Sequence, residues 1–339
     1  MSNQKLKDKM NRFHGILLCK LQSGYKRVNN IPSSQHLNRE ENPDKVSEII
    51  YEELSNPRPS MITRFGNTEF QCLINYLGIQ NGYVNYYKFI KNEIPAWWWR
   101  KDRMENMRDL SGFFPPTEKE LNKFCQLMLE DIKYIDILGS WINNESDIKE
   151  LLPNTKNVFL PYMEPYWSTN PWSRILKEKK ILVIHPFKEL IQEQYYNHHK
   201  QLFTNPNILP EFNLKTIKAV QTLGGSSSEK YKSWFDALYY MEDQISKEDF
   251  DITIIGCGAY GLPLAAFVKR MGKKAIHLGG ATQLLFGIKG KRWEDPYYGV
   301  TEWNLPYNYY PQLFNQYWTK PKESDKPSNA NQVEGACYW

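Results

Sequence analysis

Two junctions in the chain gather groups that can handle an anion. In residues 61–70, MITRFGNTEF, the side chains of Arg64, Asn67 and Glu69 and the backbone of Gly66 stand where an apolar run gives way to a helix-forming one. In residues 251–293 an apolar strand (252–255) runs into Gly256, Gly258 and Gly261, then into an apolar helix (262–271), a second strand (274–278) and the Gly279-Gly280 turn. Glycines at a strand-to-helix turn let the backbone approach a ligand closely, and the helix start offers unpaired N–H groups to a phosphate or diphosphate. The same glycines serve close helix–strand packing equally well. Lys289, Lys291 and Arg292 place three cations just beyond this unit, at the edge where open α/β sheets bind ligands. The glycine spacing matches the loose dinucleotide fingerprint, but Lys273, Lys274 and His277 stand where a ribose-binding carboxylate is expected. Arg64 either pairs with Glu69 or reaches a phosphate; Glu69 in a first turn also suits the helix dipole.

The elements that must position these groups alternate. Asn42-Pro43-Asp44 opens a helix to Leu54, a strand covers 60–65 and a helix 70–77. A helix at 115–133 then leads to strands at 134–138, 157–160, 180–185 and 215–223, with helices at 167–176, 188–202 and 228–245. This order implies an α/β fold, a Rossmann-like, doubly wound and mostly parallel sheet with an aromatic-rich helical insertion at 83–114. Its strand ends share one side, and the polar or glycine-rich loops after them form the expected ligand rim. Among these, Gly224-Gly225-Ser226-Ser227-Ser228 either caps the next helix or binds phosphate. Trp97, Trp98 and Trp99 cannot all face one core, so at least one is expected at the surface, in an acceptor groove or an oligomer contact.

Three segments follow: a basic arm and linker (1–42), the α/β domain (43–300) and an irregular tail (301–339) whose aromatic end is expected to dock back as a lid. The arm interleaves cations with Phe13, Ile16, Leu17, Leu18 and Leu21, which suits a docking helix or peripheral contact with an anionic membrane face. A net charge of +5, with 43 basic residues interspersed among 38 acidic ones, argues against nucleic acid as a partner. The five cysteines, with no C-x-x-C pair, read as reduced thiols of a cytoplasmic protein. No run is apolar and long enough to span a bilayer, and no secretory signal is legible.

The 61–70 motif resembles the R-F-G-D-G-E signature of bacterial glycosyltransferases with the GT-D fold. Residues 134–139 (YIDILG), 181–187 (ILVIHPF), Gln194 and the 251–293 unit are similar to that family's later blocks, in the same order. The resemblance implies a GT-D type enzyme that moves a sugar from a nucleotide-sugar donor to a glycan or lipid-linked acceptor, as in surface polysaccharide synthesis. It also implies a divalent cation, Mn²⁺ or Mg²⁺, held by an Asp-x-Glu pair. By position that pair is Asn67 and Glu69: Glu69 matches, and Asn67 offers only a neutral, weaker oxygen ligand. Metal binding is then weakened, or Lys289, Lys291 and Arg292 neutralise the diphosphate. An inverting transfer also needs a base for the acceptor hydroxyl, for which Glu164, Asp136 and His185, at expected strand ends, are the candidates; His185 is as readily a hydrogen-bonded structural residue. Two other readings share the fold: a dinucleotide-dependent oxidoreductase, and a non-catalytic nucleotide-sugar-binding partner in a polysaccharide assembly complex.

Overall fold

The computed structural model describes residues 3–29, 37–222, 230–326, 330–332 and 335–339, with side-chain surroundings from His14 onward. In chain order the regular elements are α1 (Asn3–Asn29), α2 (Pro43–Ser55), β1 (Ser60–Thr63), α3 (Asn67–Asn81), α4 (Tyr86–Ile90), α5 (Lys101–Asp109) and α6 (Glu118–Asp131). There follow β2 (Ile137–Ser140), β3 (Lys156–Phe159), β4 (Lys180–His185), α7 (Lys188–Leu202), β5 (Asn213–Lys218), α8 (Trp234–Ser246) and β6 (Ile252–Ile255). The last are α9 (Gly261–Arg270), β7 (Lys274–His277), α10 (Thr282–Leu285), α11 (Lys291–Glu294) and α12 (Val300–Trp303).

The seven strands form one all-parallel sheet in the order β3-β2-β1-β7-β6-β4-β5. Strands such as β1, β2 and β6 are buried at every position, as a parallel sheet covered on both faces requires. On one face α3, α6, α8 and α9 pack Phe70, Leu73, Phe124, Trp234 and Leu264 against Met61 and Leu138. On the other, α2 and α7 pack Val46, Ile50 and Ile191 against Ile62 and Ile254. Connections that step toward β3 cross the first face and those that step toward β5 cross the second, as crossovers of one hand must. The chain therefore leaves the adjacent strands β4 and β6 in opposite directions. That switch point opens a crevice at the carboxyl edge.

The doubly wound α/β architecture expected from the alternation is present. Differences are local and have physical causes. The strand expected at 134–138 starts only at Ile137, because Ile132–Tyr134 is a 3₁₀ turn. Asp136 there accepts the Met61 N–H at 2.7 Å and the Lys269 ammonium at 2.6 Å. The helix expected at 167–176 is replaced by the short turns Pro165–Trp167 and Trp172–Leu176. Pro171 cannot continue a helix, and Asp44 draws out the intervening backbone by accepting from Ser168 Oγ and the Thr169 N–H, both at 2.8 Å. β5 is shorter than expected, and α8 begins at Trp234 with Ser233 as its N-cap. The Gly224–Ser228 expectation lies outside the described residues. At the other end of the chain α1 docks on α4, burying Leu18 and Gln22, whose amide donates to the Phe89 carbonyl at 2.8 Å.

Gly261, the first residue of α9, faces the ring of His277 so closely that any Cβ would overlap it. Gly261→Ala is expected to destabilise the fold by about 1–3 kcal/mol through overpacking, read as a lowered midpoint in chemical denaturation.

Candidate functional site

At the carboxyl edge lies a cleft of about 440 Å³ to which the segments after all seven strands contribute, from Arg64 after β1 to Gly279 after β7. Gly256, directly after β6, lines it beside the switch point. A Cβ there would stand 2.6 Å from the Gly279 carbonyl and 2.7 Å from the His185 ring, so only glycine lets β4, β6 and β7 exits meet. Gly258 and Gly279 have φ of +57° and +64°, conformations that glycine adopts without strain.

Arg64 is the charged group that β1 delivers. Its Nε donates to the Phe65 carbonyl at 3.0 Å, and its guanidinium lies 4.9 Å from the centre of the Trp141 ring. The Trp141 indole donates to the same carbonyl at 2.9 Å, so the two side chains brace each other. Among the described residues no carboxylate is within ion-pair distance of Arg64. Burial lowers its proton affinity, Tyr338 and Glu69 oppose that, and Arg292 adds to it. A guanidinium remains charged under such pressure, and a half-buried one without a carboxylate favours an anion. Arg292 reaches the same cleft from α11, stacked over Tyr338 at 4.5 Å and donating to Cys337 Sγ.

Glu69 is buried in the first turn of α3, its carboxylate folded over Gly66 where a Cβ would collide with it. Asn67 is exposed in the same turn and lines the same cleft. No group of three or more His, Cys, Asp or Glu side chains assembles among the described residues. A small hard cation needs fewer from the protein when phosphate and water complete its shell, so Glu69 with Asn67 fits a shared site and not an all-protein cage.

Both histidines of the cleft are buried and held neutral. Burial pushes His185 down to about 3, and its Nδ1 accepts the Phe187 N–H at 3.0 Å. The ring thus presents an Nε2–H donor, which corrects its expected role as a base. His277 is pushed down to about 3 by burial, and secondarily by the charge of Arg64; its Nδ1 lies 3.1 Å from Thr63 Oγ1. Glu164 stands in a small annexe that shares Arg64, Gly280, Arg292 and Tyr338 with the cleft. It accepts from the Trp167 indole at 2.9 Å and the Tyr310 hydroxyl at 3.2 Å, and burial raises it to about 7.

The remaining sequence candidates fall elsewhere. Asp136 precedes β2 and lies at the opposite edge of the sheet, where it anchors β1 and α9. Lys289 packs over Phe314, and Lys291 donates to the Gly335 carbonyl; neither lines the cleft, so of the three expected cations only Arg292 does. Trp97 and Trp98 pack on Phe89, and Trp99 on Tyr76; all three are half-buried, and none lines a described cleft. Sequence reasoning notes His277 only as standing in place of a ribose-binding carboxylate, places Trp141 only in a rim loop, and misses Glu302. Glu69 and Glu302 are the carboxylates lining the cleft among the described residues. Glu302 lies in an irregular stretch with no periodicity to mark it, whereas Trp141, directly after β2, had a readable position. Comparison of the chain with protein-family models, curated proteins and solved structures gives no match.

Glu164 carries a pH signature. It ionises near 4.5 in the unfolded chain and near 7 in the fold, so the folded state binds the proton more tightly. Its stabilising contribution is full below pH 4.5 and is lost as pH rises through 7. The stability of Glu164→Gln relative to the parent should therefore rise by roughly 2–3 kcal/mol between pH 4.5 and 8. Urea denaturation of both proteins across that range checks it; a pH-independent difference would be inconsistent.

Proposed function

We propose that the protein is a glycosyltransferase of GT-D type that takes a sugar from a nucleotide-sugar donor to a glycan or lipid-linked acceptor. The observation that carries this reading is Arg64: a half-buried guanidinium with no carboxylate ion pair among the described residues, set beside the glycine turns of β6 and β7. A donor diphosphate would lie between Arg64, Arg292 and those turns. Glu69 and Asn67 would hold a divalent cation there, which would add positive charge against the departing diphosphate. The resemblance of residues 61–70 to the family signature supports the same assignment.

In the transfer, the acceptor oxygen bonds to the anomeric carbon and the bond from that carbon to the diphosphate oxygen breaks. The diphosphate leaves with the electron pair, drawn by the two arginines. The hydroxyl proton passes to a carboxylate, and Glu302, on the rim of the cleft, is the group we assign to receive it. A dinucleotide-dependent oxidoreductase is less well supported, because β7 ends in the neutral His277, engaged with Thr63, where a ribose-binding carboxylate belongs.

Calorimetric titration against nucleoside diphosphates and nucleotide sugars, with and without Mn²⁺, tests the reading. Arg64→Ala is expected to weaken donor binding about 10- to 100-fold, the loss of charge-assisted hydrogen bonds. Glu302→Gln should keep donor affinity and lose turnover. Absence of binding to every nucleotide by the folded protein would remove the donor site; binding without turnover on any acceptor would favour the non-catalytic partner, a reading Asn67 keeps open.

No described helix is long and apolar enough to cross a membrane. Exposed Ile16, Leu17 and Leu21 on α1 lie among basic residues, and α1 packs against α4, which exposes Tyr86 and Tyr87. These features support work in the cytoplasm at a membrane face. Cosedimentation with anionic vesicles, lost in Leu17→Glu, is the expected result; equal pelleting of the variant would refute the contact.

A further inference from the structure

A second and larger hollow, about 920 Å³, adjoins the donor cleft between α1, α3 and α5 on one side and the loop after β2 on the other. Asn67, Trp141, Glu302 and Trp303 line both spaces. Trp141 and Trp303 meet edge-to-face at 5.9 Å, so the threshold between the hollows is an aromatic step with a carboxylate beside it. Flat apolar faces of this kind suit a sugar ring.

Three cations line one wall: Lys26, Arg100 and Arg103. Arg100 is answered by Asp102, which accepts from its Nε at 3.0 Å and from its terminal nitrogen at 2.7 Å. Arg103 donates to the neutral amide of Gln71 at 3.3 Å, and neither it nor Lys26 has a carboxylate within ion-pair distance among the described residues. Of the acidic groups in the lining, Glu93 faces Lys91 at 4.0 Å and Asp147 accepts from the Asn144 amide at 3.3 Å, while Glu302 stands at the threshold. Lys26 and Arg103 are both less basic than usual. Burial is the first cause, followed by the charge of Arg100 on each and of Arg103 on Lys26, while Asp102 opposes the lowering at Arg103. Like charges gathered in a half-buried wall repel one another, and an anion in the hollow would relieve that repulsion.

The wall is also braced. Asn75 donates to the Ala96 and Trp98 carbonyls at 3.2 and 2.8 Å and accepts the Arg100 N–H at 3.0 Å. Gln71 ties Arg103 to the opposite side by donating to Asn144 at 2.9 Å. The tryptophan run thus acts at one remove, as the packed support that fixes where Arg100 starts.

We propose that this hollow is the acceptor subsite and that it selects an anionic acceptor, a glycan carrying a phosphate or carboxylate. Lys26 and Arg103 hold that anion, with the Arg100–Asp102 pair beside them, and the sugar to be extended lies over Trp141 beside Glu302. The inference rests on the transferase reading for its role, but its test does not need donor binding.

The full chain is titrated calorimetrically with a galacturonate trisaccharide, a glycerol-phosphate oligomer and maltotriose. At least one anionic probe should bind about tenfold or more tightly than maltotriose, and its affinity should fall with added salt. Arg103→Gln should cost about tenfold, while Arg103→Lys retains most of the affinity, which separates lost charge from lost fold. Binding of uridine diphosphate in the first cleft should be unchanged in both variants if that cleft takes nucleotides. The preferred anionic probe identifies carboxylate or phosphate as the anion. Equal affinity for maltotriose, no binding of either anionic probe, or unaltered anionic binding in Arg103→Gln overturns the proposal. Anionic binding dependent on Arg103 without any nucleotide binding would leave the anion subsite standing and remove only its role in transfer.

Discussion

Strand β7 holds two half-sheets together. β3-β2-β1 lies on one side of it and β6-β4-β5 on the other, and β7 is hydrogen-bonded to both β1 and β6. Its register sets Ile276 against Ile62 on one flank and Ile254 on the other, so the three strands leave the sheet at the same level. Its start is pinned as well, since Lys274 donates to the Leu54 carbonyl at 2.6 Å. The consequence is local and chemical. Gly279 emerges beside the guanidinium of Arg64, with a nitrogen 2.9 Å from where a Cβ would stand, and turns its carbonyl toward Gly256. A parallel sheet puts every strand exit on one edge, and the long-range insertion of β7 decides which exits are neighbours.

The aromatic wealth of the chain, 14% Phe, Trp and Tyr, is used mostly inside. After β7 the described residues form only short helices, yet they cover one face of the sheet with Trp293, Tyr309, Tyr310 and Trp318. Rings fill this irregular layer where a regular helix would have brought aliphatic side chains. Their polar edges need partners, and Glu164 supplies acceptors for Trp167 and Tyr310. The raised protonation of Glu164 is the electrostatic result of that apolar setting. Tyr338 and Trp339 extend the layer to the mouth of the cleft: the Gln283 amide donates to the Tyr338 carbonyl at 3.2 Å, and Trp339 packs on Phe187.

Electrostatically the far edge of the sheet and the cleft handle charge differently. Asp131 with Arg270 and Asp136 with Lys269 fasten α6, α9 and the start of β2 at the far edge. At the carboxyl edge Arg64 is instead held by a carbonyl and an aromatic face, interactions that position a guanidinium without neutralising it. The same contrast separates Arg103, held by an amide, from Arg100, held by Asp102.

The alternation of strands and helices, the glycine turns at 256–261 and 279–280, and the place of Arg64, Asn67 and Glu69 at the end of β1 are legible along the chain. Apolar runs of strand length and glycines at junctions are local signals, and the backbone obeys them locally. Which polar residues meet depends on contacts between segments far apart in the chain. Asp136 and Trp141 are five residues apart, yet four residues of β2 stand between them, about 13 Å, which is enough to send one to each edge of the sheet. Lys289, Lys291 and Arg292 are close in sequence, but Lys289 precedes α11 and packs over Phe314, and within α11 only Arg292 lines the cleft, because successive helical side chains point to different sides. Three tryptophans in a row cannot share one core, which puts at least one at the surface by local reasoning; the fold instead leaves all three half-buried and divides them between two cores, with α1 covering Trp98. Glu302 entered the cleft through a segment without periodicity, carried there by packing of Trp303 on Tyr298 and Trp141, which no local pattern encodes.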